Sequence, residues 1–277
     1  MIAVFDNHVH LQINGENVLA AKRYEKVGGK IINACNLPGK FYPSLEYFKQ
    51  RYEEIIGISE KIKKETTLYV LVTIGPYPVD AIESIKAVGK EKTLQLWIEA
   101  TELAGKYVDQ GKANAIGEIG RPHFKVDDGI WEFFNNLLQR QMEIAKDHNT
   151  AVVLHTESAT EKTFYEISKI AEKAGMKKFK VVKHYSPPFV LENENYGIFP
   201  SIIASRENIR DAIKKGENFF METDFLDDQS RKGAVMDIET VPKRYRMLSQ
   251  EFPEKFEKYV ENTLLNISKI YDFEISY

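Results

Sequence analysis

Short apolar runs alternate with longer stretches whose apolar residues recur every three or four positions, and the alternation continues along the whole chain. The apolar runs predict strands at Ile2–Asp6, Lys30–Asn36, Leu68–Ile74, Ala113–Ile119, Ala151–His155, Lys180–His184, Gly197–Ile203 and Asn218–Thr223. They are rich in Val, Ile, Phe and Leu rather than strictly alternating, as expected of parallel strands covered by helices. Between them, Ser44–Lys64, Asp128–His148 and Thr160–Ala174 read as amphipathic helices. In "WEFFNNLLQRQMEIAKDH", Trp131, Phe134, Leu138, Met142 and Ala145 share one face. The connection "SPPFVLENENY" has room only for a turn or a partial helix. After the eighth run, a polar loop, Asp227–Thr240, precedes terminal helical patterns around Pro242–Ser249 and Pro253–Ile270. Eight strands in βα alternation, with no linker, predict an α/β fold: a single-domain (β/α)8 TIM-type barrel over residues 1–277. Strand counting does not establish closure, so a doubly wound open sheet is the alternative.

Composition adds exclusions. With 277 residues, 43% of them hydrophobic and 29% charged, the chain is long enough for one large core. A net charge of −3 argues against a protein that holds nucleic acid by bulk electrostatics, while leaving room for a small local nuclease site. Cys35 is the single cysteine, which rules out a disulfide framework or a cysteine zinc site. Within "KIINACNL" it reads as a buried structural thiol. No apolar stretch approaches a membrane span, and "MIAVFDNHVH" has no charged leader before an apolar core, so a cytoplasmic setting is expected.

In such a barrel the active site lies at the C-terminal ends of the strands. Strand 1 runs into "DNHVH", where His8 and His10, two residues apart, project to the same side. Strand 4 places Glu118 near its end, and strands 5, 6 and 8 lead to His155, His184 and Asp224. Each alone has a plain structural role as a core histidine, an ion-pair partner or a turn cap. Six together at one end of one barrel make a donor set of imidazoles and carboxylates suited to zinc and related divalent ions. Six donors exceed what one tetrahedral ion takes, which points to two metals with a carboxylate between them.

Other residues carry weaker signals. Arg121, Arg206 and Arg231 each follow a strand and are of the type that grips phosphate or carboxylate, although a solvated arginine is the commoner case. His123, just past strand 4, is within reach of a substrate. His148 is explained as a cation at a helix C-terminus, with Asn149 as the cap. Lys183 precedes His184 and falls on the opposite strand face, which disfavours it as a carboxylated bridging lysine. Asp6 and Asn7 are expected to orient the neighbouring imidazoles. Asp227 and Asp228 read as solvated loop acids.

The elements "DNHVH", "IGEIG", "QRQMEIAKDHNTAVVLHT", "KHY" and "METD" occur in this order, followed by "VENTLLNISKIYDF" as a closing helix. Together they resemble the TatD-type metal-dependent hydrolases of the amidohydrolase superfamily over nearly the whole chain. The resemblance implies that His8, His10 and Asp224 bind one metal and His155 and His184 a second, with Glu118 bridging. It also implies a metal-activated water as nucleophile, with Asp224 orienting it and moving its proton. Zinc is the first candidate, with manganese, magnesium, nickel or iron as alternatives. The implied substrate is a small molecule or nucleotide with a phosphoester or amide-type bond. Three departures fall in the loops: "GEIGRPHF" puts Arg121 and Pro122 where an apolar residue and an acid are common. Glu157 stands where an arginine is frequent, and "ETDFLDDQ" replaces the usual end of strand 8. The donors are retained while substrate-facing loops differ, which weakens DNA as the substrate. Two alternatives remain: a mononuclear amidohydrolase or deaminase using His8, His10, His184 and Asp224, and a metal-binding barrel without turnover.

Overall fold

The computed structural model describes residues 3–228 and 236–275. Its strands are β1 (Phe5–His10), β2 (Ile31–Cys35), β3 (Tyr69–Ile74), β4 (Ala115–Gly120), β5 (Ala151–His155), β6 (Val181–Ser186), β7 (Phe199–Ile203), β8 (Phe220–Glu222) and β9 (Phe225–Leu226). All neighbours pair in parallel, in the order β8-β7-β6-β5-β4-β3-β2-β1-β9. Strands β8 and β9 are two halves of one strand broken at Thr223 and Asp224. The first half bonds to β7 and the second to β1. Asp6 ties the break to β1, accepting hydrogen bonds from the Thr223 amide (3.0 Å) and hydroxyl (2.7 Å). The sheet thereby closes into the expected barrel, and the open-sheet alternative falls away.

The helices are α1 (Val18–Lys26), α2 (Leu45–Glu65), α3 (Asp80–Val88), α4 (Lys90–Asp109), α5 (Asp128–Asp147), α6 (Glu161–Ala174), α7 (Glu192–Asn195), α8 (Arg206–Lys215), α9 (Thr240–Glu251) and α10 (Pro253–Tyr271). Their starts are chemically marked. Ser44, Asp127 and Ser205 each accept a hydrogen bond from the first turn of α2, α5 and α8, and Thr160 forms a reciprocal box with Thr163 in α6. The expected stripe of α5 is buried at Phe134, Leu138, Met142 and Ala145, while Trp131 is half-buried. The β6–β7 connection holds only the four-residue α7, as its length required.

Apolar side chains form two cores. One fills the space between strands and helices. The other fills the lower barrel with Phe5, Ile31, Leu71, Val153, Val182 and Phe220, closed from below by Ile267, Ile270 and Tyr271 of α10. Strand β1 begins later and runs further than the expected Ile2–Asp6, through the whole of "DNHVH". The expected strand ended at Asp6, but inside the barrel the polar residues that follow find partners and the strand continues. Ladder register shifts occur in β1 between Asp6 and Val9, in β4 between Gly117 and Ile119, and in β6 between Lys183 and Ser186. Such irregularities re-aim side chains, and these three lie in strands that carry His8, Glu118 and His184.

Candidate metal centre

The six sequence-derived donors converge at the C-terminal mouth of the barrel. His8 Nε2 and His10 Nε2 lie 3.0 Å apart. Asp224 Oδ1 lies 4.0 Å from the first and 3.6 Å from the second. Glu118 faces several imidazoles at once: Oε2 is 3.7 Å from His10 Nε2, while Oε1 is 3.2 Å from His155 Nδ1 and 3.5 Å from His184 Nε2. Three donor triads result, His8–His10–Glu118, His8–His184–Asp224 and Glu118–His155–His184, each with its ligand atoms within 4.8 Å of one another. Donors ~2.1 Å from a tetrahedral ion lie about 3.4 Å apart. The observed spacings and the imidazole–carboxylate chemistry therefore fit divalent metal.

Each imidazole has a polar neighbour at its other nitrogen, as metal-ligating histidines usually do. His10 Nδ1 is 3.3 Å from the Cys35 carbonyl oxygen, and His8 Nδ1 is 3.5 Å from Cys35 Sγ. His155 Nε2 is 2.9 Å from His123 Nδ1 and 3.4 Å from the Tyr77 hydroxyl. His184 Nδ1 lies 2.8 Å from Glu222 Oε1. Neither the Asp6 nor the Asn7 side chain bonds an imidazole directly. Asp6 accepts from the His8 backbone amide and from Thr223, and Asn7 bonds Ser201 and Tyr271 in the barrel interior. Asp6 serves to close the barrel.

The electrostatics follow from packing charged groups away from water. Burial and the neighbouring imidazoles hold His8 well below the ordinary histidine range, and burial lowers His155. Burial opposes the charge on His184, yet Glu222, Glu118 and Asp224 outweigh it and lift the imidazole to about 9. Burial opposes the charge of Glu118 too, but His184 and His8 bring its carboxyl well below the usual range. Asp224 is raised, chiefly by burial. Its φ of 51°, and that of 52° at Tyr185 beside His184, mark left-handed backbone at the site.

A cavity of about 310 Å³ opens over the donors, lined by His123, His155, Thr156, Glu157, Ser158, Lys183, His184, Tyr185 and Asp224. His123 is exposed on its rim. Arg121 points away from it: the guanidinium is fully buried, donating to both Glu157 oxygens (3.2 and 2.5 Å), to Glu166 (3.1 Å) and to Asn135 (3.1 Å). Its Cζ sits 4.3 Å from the Trp131 ring centre. Arg206 is exposed on the first turn of α8, outside the cavity wall, and Arg231 lies outside the described residues. Lys183 stays out of the donor triads, but its buried amine, brought down to about 8 by burial, donates to the His184 carbonyl and lines the cavity.

Asp227 is not solvated. It is buried and accepts from the amides of Glu16 (2.6 Å) and Asn17 (2.7 Å), anchoring the β1–α1 loop. Asp228 is half-buried. Cys35 is fully buried with its thiol well above the usual range through burial. His148 caps α5 and pairs with Asp109 at 2.9 Å, with Asn149 in left-handed backbone after it. Sequence reasoning passed over Tyr77, Tyr185 and Glu222. The available signal for Glu222 was its place two residues before Asp224, inside the quoted "METD".

A family model for TatD related DNase matches residues 5–272. An uncharacterized protein of Methanocaldococcus jannaschii, MJ1127, is 36% identical over 99% of this chain and 97% of its own length. From the same organism, the uncharacterized metal-dependent hydrolase MJ0761 is 23% identical over 80% of this chain and 83% of its own. Among solved structures, YjjV, a TatD homolog from Escherichia coli, superposes with a TM-score of 0.67 at 19% identity, covering 99% of this chain and 100% of that one.

Proposed function

The chain belongs to the TatD related DNase family, a family of metal-dependent hydrolases, and from that premise we propose a binuclear enzyme acting on a phosphoester or amide-type bond of a small molecule or nucleotide. One observation carries the binuclear reading: Glu118 lies between the two donor groups, Oε2 facing His10 and Oε1 nearest His155 and His184, with His8 next at 3.8 Å. His8, His10 and Asp224 would hold one ion, His155 and His184 the other, and Glu118 both. Zinc suits this set best, with manganese, magnesium, nickel or iron as alternatives. Bound divalent ions bring the pKa of water toward neutrality and offset negative charge developing on the substrate.

The chain's own residues supply the rest. Asp224, partly open to the cavity and beside His8 and His10, is placed to take the nucleophile's proton and pass it to the leaving group. His123 and Lys183 are the basic groups along the cavity wall, while Arg121 is engaged elsewhere. His123 is the substrate contact favoured among the sequence candidates, and Arg206 and Arg231 are proposed only as outlying ones. A cavity of about 310 Å³ and a net charge of −3 favour a compact substrate over a long nucleic acid. Among the described residues no helix is long and apolar enough to cross a membrane, in keeping with a cytoplasmic setting.

The test is metal content per chain of protein purified without chelator, beside Glu118→Ala. Two equivalents in the parent and fewer in the variant support the binuclear reading. One equivalent in both moves the assignment to a mononuclear amidohydrolase. Asp224→Asn should lose turnover and keep the fold; a metal-binding barrel without turnover would have no activity to lose.

A further inference from the structure

A line of polar contacts runs through the barrel from its closed lower end to the metal centre, hydrogen-bonded as far as Glu222 and then ion-paired to His184. It starts at Tyr271, in the last turn of α10, whose hydroxyl donates to Asn7 Oδ1 at 2.6 Å. Asn7 Nδ2 donates to Ser201 Oγ at 2.9 Å, and the Ser201 hydroxyl donates to Glu222 Oε2. The other Glu222 oxygen accepts from the Tyr185 amide at 2.7 Å and sits 2.8 Å from His184 Nδ1. Asn7, Ser201 and Glu222 are fully shielded from solvent, and Tyr271 and His184 nearly so.

Every donor in this line points toward Glu222. Its carboxylate is thus gripped from below by Ser201 and from above by the Tyr185 amide and the His184 ring. The contact at Nδ1 directs Nε2 of His184 toward Glu118, the orientation a metal ligand requires. These groups are buried away from bulk solvent, so deleting one donor leaves the next acceptor short and loosens what it held. We propose that Tyr271 is a positioning residue of the metal centre, acting through Asn7, Ser201 and Glu222 to fix the imidazole of His184. The inference rests on the reading of His184 as a metal ligand.

The experiment is competitive zinc titration against a chromophoric chelator, on the parent, Tyr271→Phe, Ser201→Ala and the double variant, with melting temperatures of the metal-free proteins alongside. Partners directly behind a ligating histidine typically contribute 10- to 100-fold in affinity, so one further removed is expected to contribute about 3- to 10-fold. Tyr271→Phe and Ser201→Ala should each weaken zinc binding by that factor. The double variant should bind no more weakly than the weaker single one, because both cut the same line. Ser201→Thr, which keeps the hydroxyl, should restore the parent affinity. Unchanged affinity in Tyr271→Phe, or effects that multiply in the double variant, would overturn the proposal even if melting temperatures fall. Should Tyr271→Phe not fold, parent-like zinc affinity in Ser201→Ala overturns it equally. A parent that binds no zinc defeats the metal-centre reading itself, which separates that failure from this one.

Discussion

Replacing Arg121 by methionine removes a fully buried guanidinium while keeping an unbranched side chain of similar reach. The structure sets the size of the effect. Four of its N–H directions are engaged, two on Glu157 and one each on Glu166 and Asn135. Removing one partner of a buried ion pair typically costs 3–5 kcal/mol, because the remaining charges stay desolvated. Here the carboxylates keep some water: the Glu157 and Glu166 side chains are 25% and 33% exposed, and Lys162 lies 3.7 Å from Glu166. That places the ionic loss near the lower bound, about 3 kcal/mol. Lost stacking on Trp131 adds about 0.5–1 kcal/mol. At roughly 2–4 °C per kcal/mol, the melting temperature should fall by about 7–16 °C. Urea unfolding at constant m-value, on metal-free protein, isolates the term from metal binding. Adding Glu157→Met should recover part of the loss, since an apolar pair replaces an orphaned charge. A cost under about 1 kcal/mol for the single variant, or a double variant less stable than it, would refute this account of Arg121.

Gly120→Ala should lower the melting temperature by at least about 5 °C in a thermal scan, because Gly120 sits at φ +135° and an added Cβ would stand 2.1 Å from the His155 carbonyl oxygen. His148 should make stability pH-dependent. Partial burial opposes its charge, but Asp109 and Glu102 prevail and raise it above 6.5. A raised folded value means the contribution is complete below 6.5 and fades as pH rises through that value. The melting-temperature gap between parent and His148→Gln should therefore be wider at pH 5.5 than at pH 9. A chelator should lower the melting temperature and added zinc restore it, the bound ion contributing about 2.7 kcal/mol of stability at a free concentration 100 times the dissociation constant. An unchanged melting curve would count against a centre built into the fold.

The apolar runs placed all eight barrel strands, because burial between core and helices leaves a compositional trace. The trace fails where polar residues are buried in the barrel interior. "DNHVH" read as the end of a strand, yet Asp6 and Asn7 lie within one, satisfied by Thr223, Ser201 and Tyr271 from distant parts of the chain. Arg121 had the profile of a substrate arginine because its partners, Asn135, Glu157 and Glu166, are recognisable only after α5 and α6 pack. Asp227 misled for the same reason, since its donors come from the loop after β1. The six donors were legible as strand-end residues. The re-aiming of His8, Glu118 and His184 was not, because a register shift depends on which residue of the next strand lies opposite.

The break between β8 and β9 places the closing seam of the barrel at the metal centre. His8 and His10 lie on β1, whereas Asp224 follows β8 and is made only after eight of the nine described strands. The full donor set cannot exist on a partly synthesised chain, nor in any intermediate where β1 has not met the broken strand. Pairing of such distant segments is the slow, loop-closing part of folding. Assembly of the centre is therefore timed by the chain itself, and its completion reports that the last strand has docked against the first.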